Sequence, residues 1–451
     1  VSLLGLPLCC CPFSPKLGHA DLSFELDDLA NFRLFVLDAR MHDESHVLAK
    51  TLLSYACAHK VPVLLCRSHT PNDDVGRLVL ELALETAAFT PNRAESLPSP
   101  FWEGVALRLH TSGTTKRPKT VPLTHCNLVT GARQIGRTLM VGNTDAALNA
   151  MPLFHIHGIV VNVLVPLLQG ASVLPLPSFT PDEFFRLMGV VRPTYYSAVP
   201  AIHEQLLLYT KQQGNLGIRL SSLRFVRNCS AALLPAVAAK LEQLFHCASV
   251  GTYAMTESMP ICSNPIEMER RRLDSVGPAA GPRVVIRDNT HVDGLQVPSD
   301  LHEIESEFKR RQTASMDQDL CDDSLNLAPL AHGEVCVKGP MVTLGYERCE
   351  ADQRDCYFDF TEDGFLRTGD KGYLDQDGHL VLLGRYKEII NRGGEKLSPL
   401  HIESVLIKHP LVQEVLVFAA PHSILGEVVG VMAVEDAQSR APGAPRLSVD
   451  A

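Results

Sequence analysis

Short apolar runs alternate with amphipathic segments from Phe32 onward, and this alternation restricts the fold more than any other feature of the chain. Phe32–Asp38 (FRLFVLD) reads as a buried strand. His46–Lys60 reads as a helix with Val47, Leu48, Leu52, Tyr55 and Ala56 on its apolar side, and Val61–Cys66 as a second strand. Strands joined through helices run parallel and need both faces covered, so a layered α/β sheet is expected. The pattern continues with strands at Val105–Leu109, Ala147–Met151, Ser172–Leu174, Tyr195–Ala198 and Leu223–Asn228. Helices are predicted over Thr124–Thr138, capped by Thr124, and over Pro181–Val190, capped by Thr180 with Pro181 at the first position. Ile202–Gln212 and Pro235–Leu244 complete the set.

From Val276 the strands shorten and Gly and Pro cluster, which predicts a small β-barrel. Gly333–Gly339, Gly364–Thr368 and Leu380–Leu382 resume it after a charged stretch, 301–324, that reads as a surface insertion. A small α+β unit begins near Gly384, with a strand pair, a helix over His401–Lys408 and a strand over Glu414–Phe418. The expected plan is an irregular leader (1–16), a large N-terminal α/β domain with the barrel (17–384), a partial C-terminal α+β domain (385–436) and an irregular tail (437–451).

At 451 residues the chain is too long for one core. A formal charge of -10 argues against a nucleic-acid binder. The 13 cysteines include no CxxC pair, so neither a zinc site nor a disulfide framework is indicated, and buried thiols in a reducing compartment, the cytoplasm, are expected. The apolar start VSLLGLPLCCCPF is too short to span a bilayer and lacks a basic region, Val160–Leu176 is broken by Pro166 and Gly170, and the final Ser-Val-Asp-Ala is not a peroxisomal signal.

Five stretches carry chemistry. His110–His125 holds Thr111, Ser112, Gly113, Thr114 and Thr115, then Lys116, Arg117 and Lys119, which suits a loop around nucleotide phosphates and equally a polar surface turn. No Gly-Lys-Ser/Thr follows at P-loop spacing. Met151–Gly158 (MPLFHIHG) places His155 and His157 two apart, and strand alternation would aim both to one face, as ligands or as a pair of satisfied structural histidines. Gly251–Ser258 (GTYAMTES) offers an aromatic ring for a purine, a hydroxyl for phosphate and a carboxylate for Mg2+, although Thr-Glu also begins many helices. Phe365–Asp370 ends in a carboxylate suited to ribose hydroxyls, or in an ordinary turn. Arg385 and Lys387 then lead to Gly393–Gly394, which allows close approach to a ligand or simply makes a tight hairpin.

In this order, TSGTTKRPK, MPLFHIHG, GTYAMTES, GFLRTGD and GRYKEIINRGGEK resemble the core motifs of the adenylate-forming acyl-CoA synthetases, over roughly Asp21 to Glu435. RNCSAALLPA (Arg227–Ala236), Tyr195–His203, Ser275–Gly281 and Ile390–Pro399 look like the oxalate–CoA ligase branch. The resemblance implies that ATP and a small carboxylic acid form an acyl-adenylate with Mg2+, and that coenzyme A then displaces AMP. A monomer or weak homodimer is expected. Carried onto this chain, Thr111–Thr115 and Lys119 would cradle the phosphates, Thr256 would touch the α-phosphate and Glu257 would hold Mg2+. Tyr253, Ala254 and Met255, with Ser230, Ala231 and Ala232, would line the adenine and acyl pockets, and Asp370 and Arg385 would bind the ribose. Lys387 would be a hinge, Gly393, Gly394 and Glu395 would flank the coenzyme A tunnel, and His155 would sit at the acyl pocket.

His157 is assigned from chemistry rather than from the resemblance. Oxalate keeps a second carboxylate after activation, and burying that charge unpartnered is costly. His157 could donate to it, directly or as imidazolium. Lys116 stands where most members of the resembled family carry glycine, and Thr120 where many carry a second one. The family's C-terminal Pro-x-Thr-x-x-Gly-Lys motif does not occur, and Ala437–Ala451 holds no lysine, so a chain shortened at both ends, or a nucleotide-binding remnant, is also expected from the sequence. Medium-chain or aromatic acids are the alternative substrates within the class.

Overall fold

The computed structural model describes residues 11–12, 35–38, 47–59, 63–68, 78–84, 104–111, 119–176, 178–213, 222–288, 326–346, 360–361, 363–409 and 411–435. The 301–324 insertion, the 437–451 tail, nearly all of the leader and the loop residues Ser112, Gly113, Thr114 and Thr115 lie outside them. The chain divides into two compact units, Cys11–Phe101 and a larger one comprising Trp102–Ala451 with Val1–Cys10.

In the smaller unit, β1 (Phe35–Asp38) and β2 (Val63–Ser68) pair in parallel through α1 (Val47–His59), the expected strand–helix–strand unit. Leu52, Ala56 and Val63 are buried. The sequence reading missed β3 (Leu78–Leu84), which pairs antiparallel with β2.

The larger unit opens with a hairpin of β4 (Val105–Thr111) and β5 (Lys119–Thr124), and β5 runs directly into α2 (His125–Thr138). Thr124 caps α2 as expected: its hydroxyl accepts from Asn127 N–H while the Asn127 side chain accepts from Thr124 N–H. Leu128, Ala132 and Ile135 form the buried face. Gly131 makes this packing possible, because a Cβ there would lie 2.1 Å from Met259 O. Gly131→Ala is expected to cost about 1–3 kcal/mol in denaturant unfolding, and an unchanged midpoint would refute the close packing.

The central sheet runs β11-β10-β9-β8-β6-β7. Its parallel strands are β6 (Ala146–Asn149), β7 (Ser172–Pro175), β8 (Tyr195–Ala198), β9 (Phe225–Asn228) and β10 (Ala248–Met255), and β11 (Ser258–Ser263) returns antiparallel. Strand alternation sends Tyr195 and Phe225 into one core with Leu128, Ala132, Ile135 and Val160. Tyr196 and Val226 go into another, with Phe184, Met188, Leu206 and Phe245 from α4 (Pro181–Val191), α5 (Pro200–Gln213) and α6 (Pro235–Phe245). Thr180 caps α4 through Glu183 N–H, as its sequence predicts.

The chain after β6 departs from expectation. Its strand ends at Asn149, and a turn leads into a π-helical segment, His157–Leu164, followed by the short α3 (Val165–Leu168). Ile159, Val160 and Val161 of this segment pack into the same core as Tyr195 and Phe225.

Beyond the sheet, β12 (Arg283–Arg287), β13 (Gly333–Lys338), β14 (Leu366–Leu374) and β15 (Leu380–Arg385) pair antiparallel. The expected barrel appears among the described residues as an open row. Its β15 edge is covered by backbone bonds between Leu380 and Val276–Gly277. A last sheet, ordered β17-β16-β19-β18, contains β16 (Ile390–Arg392), β17 (Glu395–Leu397), β18 (Val412–His422) and β19 (Gly426–Glu435), with α7 (Pro399–Leu406) against β15 and β18. Among the described residues, no helix is long and apolar enough to cross a membrane.

Candidate active site

Parallel sheets gather ligand-binding groups beyond the carboxyl ends of their strands. Here β8 delivers Ser197, β9 delivers Arg227 and leads to Ser230, and β10 leads to Thr256 and Glu257. Thr111 and Lys119, the ends of the proposed phosphate loop, face each other in register across the β4–β5 hairpin. Lys119 Nζ lies 4.3 Å from the centre of the Tyr346 ring, and Tyr346 Oη donates to Glu257 Oε1 at 2.6 Å. The cation after the loop and the candidate metal carboxylate are therefore linked through one aromatic side chain. Thr256 and Glu257 form the two-residue turn between β10 and β11, not the start of a helix. Glu257 is 5% exposed, and its carbonyl accepts from Thr343 N–H at 2.7 Å.

Asp370 on β14 and Arg385 on β15 are direct cross-strand partners, with Arg385 Nε 3.4 Å from Asp370 Oδ1. Tyr253 Oη donates to the other carboxylate oxygen. Burial pushes the Asp370 carboxyl above the ordinary carboxylate range, against the pull of Tyr253 and Arg385. Glu334 accepts from Gly369 N–H and pairs with Arg367, which fixes the part of β14 that presents Asp370. Tyr253 is only 8% exposed and packs with Ile261, Val335 and Leu366, so little of its ring face is open for the expected purine stacking. Ala254 and Met255 are half-buried at the end of the same strand.

His155 and His157 do not share a face. The strand ends at Asn149, and the chain folds back so closely that a Cβ on Gly158 would lie 2.1 Å from Pro152 O. His155 is left exposed beside Phe154, whereas His157 is 1% exposed. His157 Nε2 lies 2.7 Å from Ser197 Oγ and Nδ1 lies 3.1 Å from Ser230 Oγ. Burial first, and then the charge of Arg227, hold this imidazole well below its ordinary pKa, so the imidazolium form considered from the sequence is not the neutral-pH state.

Ser230 itself is exposed and has φ +73, a left-handed conformation costing a non-glycine residue about 1–2 kcal/mol. Ala231 and Ala232 are exposed beside it, and the Ala231 carbonyl accepts from Asn228 Nδ2 at 2.9 Å. Sequence reasoning assigned no role to Arg227, Ser197 or Tyr346. Arg227 and Ser197 lay in stretches that carry the family resemblance, Arg227 also as a basic residue inside the buried run FVRN; Tyr346 carried no signal.

Gly393 and Gly394, at φ +59 and +98, make the two-residue turn between β16 and β17. Glu395 is exposed 3.9 Å from Arg392, and Lys387 is exposed in the turn after β15. Among the described residues, no hydrogen bond or ion pair ties Gly393, Gly394 or Glu395 to the groups above.

Among the described residues, no three His, Cys, Asp or Glu side chains converge on a metal position. The donor set fits Mg2+, which commonly uses one or two carboxylates and takes its other oxygens from phosphates and water. Glu257, at the end of a strand and linked through Tyr346 to Lys119 of the hairpin, is the carboxylate that would serve.

The profile of the family described as AMP-binding enzyme matches residues 8–297. An oxalate–CoA ligase of Saccharomyces cerevisiae is 32% identical over 429 residues, 93% of this chain and 71% of that protein. One of Arabidopsis thaliana is 36% identical over 328 residues, 72% of this chain, which therefore spans 56% of that relative's length. The crystal structure of ATP-bound MatB from Rhodopseudomonas palustris superposes with a TM-score of 0.71 at 26% identity, covering 97% of this chain and 74% of that one. The chain, with its mixed α/β layers, therefore belongs to the AMP-binding enzyme family.

Proposed function

We propose that the chain is an AMP-forming acid–thiol ligase whose preferred acid is oxalate. In the first step a carboxylate oxygen attacks the α-phosphorus of ATP and pyrophosphate leaves. In the second, the sulfur of coenzyme A attacks the acyl carbon and AMP leaves, giving the thioester. Positioning and charge neutralisation carry such chemistry. Thr111–Thr115 and Lys119 would hold the β and γ phosphates, Thr256 the α-phosphate, and Asp370 with Arg385 the ribose. Glu257 would hold Mg2+, which neutralises phosphate charge when bound. Gly393, Gly394 and Glu395 would border the coenzyme A path, with Lys387 as the hinge.

The observation that carries the acid assignment is the His157–Ser230 pair. Ser230 accepts a strained backbone yet keeps its hydroxyl 3.1 Å from a buried imidazole. That supports a polar site for a second acid group, with His155 exposed nearby in sequence. His157→Ala removes the imidazole that holds the Ser230 hydroxyl, so it is expected to weaken oxalate use by about tenfold, and acetate or longer acids much less. Equal loss on every acid would refute oxalate selectivity.

Pyrophosphate release with ATP, Mg2+, coenzyme A and a panel of acids tests the activity itself, on this chain and on one extended by a relative's C-terminal segment. Preference for a medium-chain or aromatic acid would overturn the oxalate assignment. ATP binding without release in either form would favour a nucleotide-binding remnant.

A further inference from the structure

Arg227 is the largest fully buried side chain in the molecule's described part, at 1% exposure, and among the described residues no carboxylate pairs with it. Its Nη1 donates to Ser197 Oγ at 3.1 Å, and its Nε has no recorded partner. A buried guanidinium held by a single hydroxyl is an expensive arrangement, and it calls for an account of what the charge does there.

The donor inventory supplies one. A guanidinium can only donate, so it occupies an acceptor position of Ser197. Ser197 is 1% exposed, and the partner of its hydroxyl that is able to accept a proton is His157 Nε2 at 2.7 Å. If Nε2 carried the proton instead, the Ser197 proton would be buried without an acceptor, and the imidazole proton would point toward the positive charge. Both count against that arrangement. With Nε2 accepting, the neutral ring carries its proton on Nδ1 and donates to Ser230 Oγ at 3.1 Å. Ser230 then receives a hydrogen bond from within, and its own O–H turns outward from the exposed end of the chain of contacts.

We propose that Arg227, Ser197, His157 and Ser230 form a one-way hydrogen-bond relay that makes Ser230 an obligate donor to an acceptor oxygen of the bound acid. Ser197 and Arg227 are positioning residues, because each acts through the next group and neither is exposed. The relay explains how a neutral histidine serves an anionic ligand: the distant guanidinium sets the direction of every donor. It favours acids whose second group offers acceptor oxygens over acids with an alkyl group there. This substrate preference rests on the ligase reading above, whereas the tautomer does not.

The test begins with the wild-type chain labelled with 15N-histidine, the His157 signals being assigned by their loss in His157→Gln. Protonated Nδ1 and unprotonated Nε2 are expected, and a proton on Nε2 overturns the relay. Oxalate and acetate affinities are then measured by calorimetry with a non-hydrolysable ATP analogue. Ser197→Ala is expected to weaken oxalate binding about tenfold and acetate far less, while Ser197→Thr, which keeps the hydroxyl, restores the oxalate value. No effect of Ser197→Ala on oxalate, or equal loss for both acids, overturns the positioning role. If the wild-type chain binds neither acid, the ligase reading falls, and the tautomer still decides the relay.

Discussion

Replacing Glu257 with glutamine is expected to slow pyrophosphate release on the order of 100- to 1,000-fold, equivalent to about 3–4 kcal/mol of transition-state stabilisation. Glutamine has nearly the same volume, and its amide oxygen can still accept from Tyr346 Oη, the bond that Glu257 now makes at 2.6 Å. The Thr343 N–H bond goes to the backbone carbonyl and is untouched. What disappears is the negative charge, in a position 5% exposed where solvent cannot replace it. The substitution therefore separates fold from chemistry: the melting temperature should hold while the apparent affinity for Mg2+-ATP drops. Unaltered release at ordinary Mg2+ concentration would remove Glu257 from the metal role.

On the proposed ribose role, Asp370→Asn should reduce nucleotide affinity by about 10- to 100-fold, because the charge-assisted bonds its carboxylate would make to ribose hydroxyls become neutral ones. Its effect on stability runs the other way. Burial raises the Asp370 carboxyl above its ordinary range, so the native state holds this proton more tightly than the unfolded chain does. Native stability then falls as pH rises from the ordinary aspartate value through the raised one, and the loss persists above it. Asparagine removes that loss, and its oxygen can still accept from Tyr253. The variant should melt no lower than wild type at neutral pH, with any advantage shrinking below the ordinary aspartate range. Nucleotide calorimetry and melting curves against pH check the two halves separately. A variant that binds ATP normally would displace Asp370 from the ribose site.

Much of the larger unit is legible in local sequence. Thr124 and Thr180 sit before helices and cap them, and the apolar runs at Tyr195–Ala198 and Phe225–Asn228 become strands. Legibility fails where tertiary context overrides local pattern. Lys119–Thr124 contains Pro122 and reads as loop, but it lies in a two-stranded hairpin whose edge tolerates a missing donor. His157–Leu164 has the β-branched composition of a strand and winds as a π-helical segment, because the tight turn that sets Gly158 against Pro152 redirects the chain. That redirection separates two histidines that alternation had placed together. For the site, the motifs point to Asp370, Arg385, Glu257 and His157, but the groups that hold them come from elsewhere. Glu334, Tyr346 and Ser197 lie 36, 89 and 40 positions from the residues they support, as differences of their sequence numbers show. Spacing within a motif carries no record of such partners.

If Ser230 takes the acid-facing role proposed above, its left-handed backbone sets acid choice and conformational ease in opposition at a single position. Glycine would adopt that geometry without strain, but it would leave His157 Nδ1 without its hydroxyl. A lineage or a directed-evolution campaign rewarded only for thermal robustness would meet no barrier to discarding the serine, and relaxed substrate choice would follow as a by-product. On the proposed reading, a broader acid range would lie energetically downhill from this backbone, and selectivity would be the state that continued selection has to maintain.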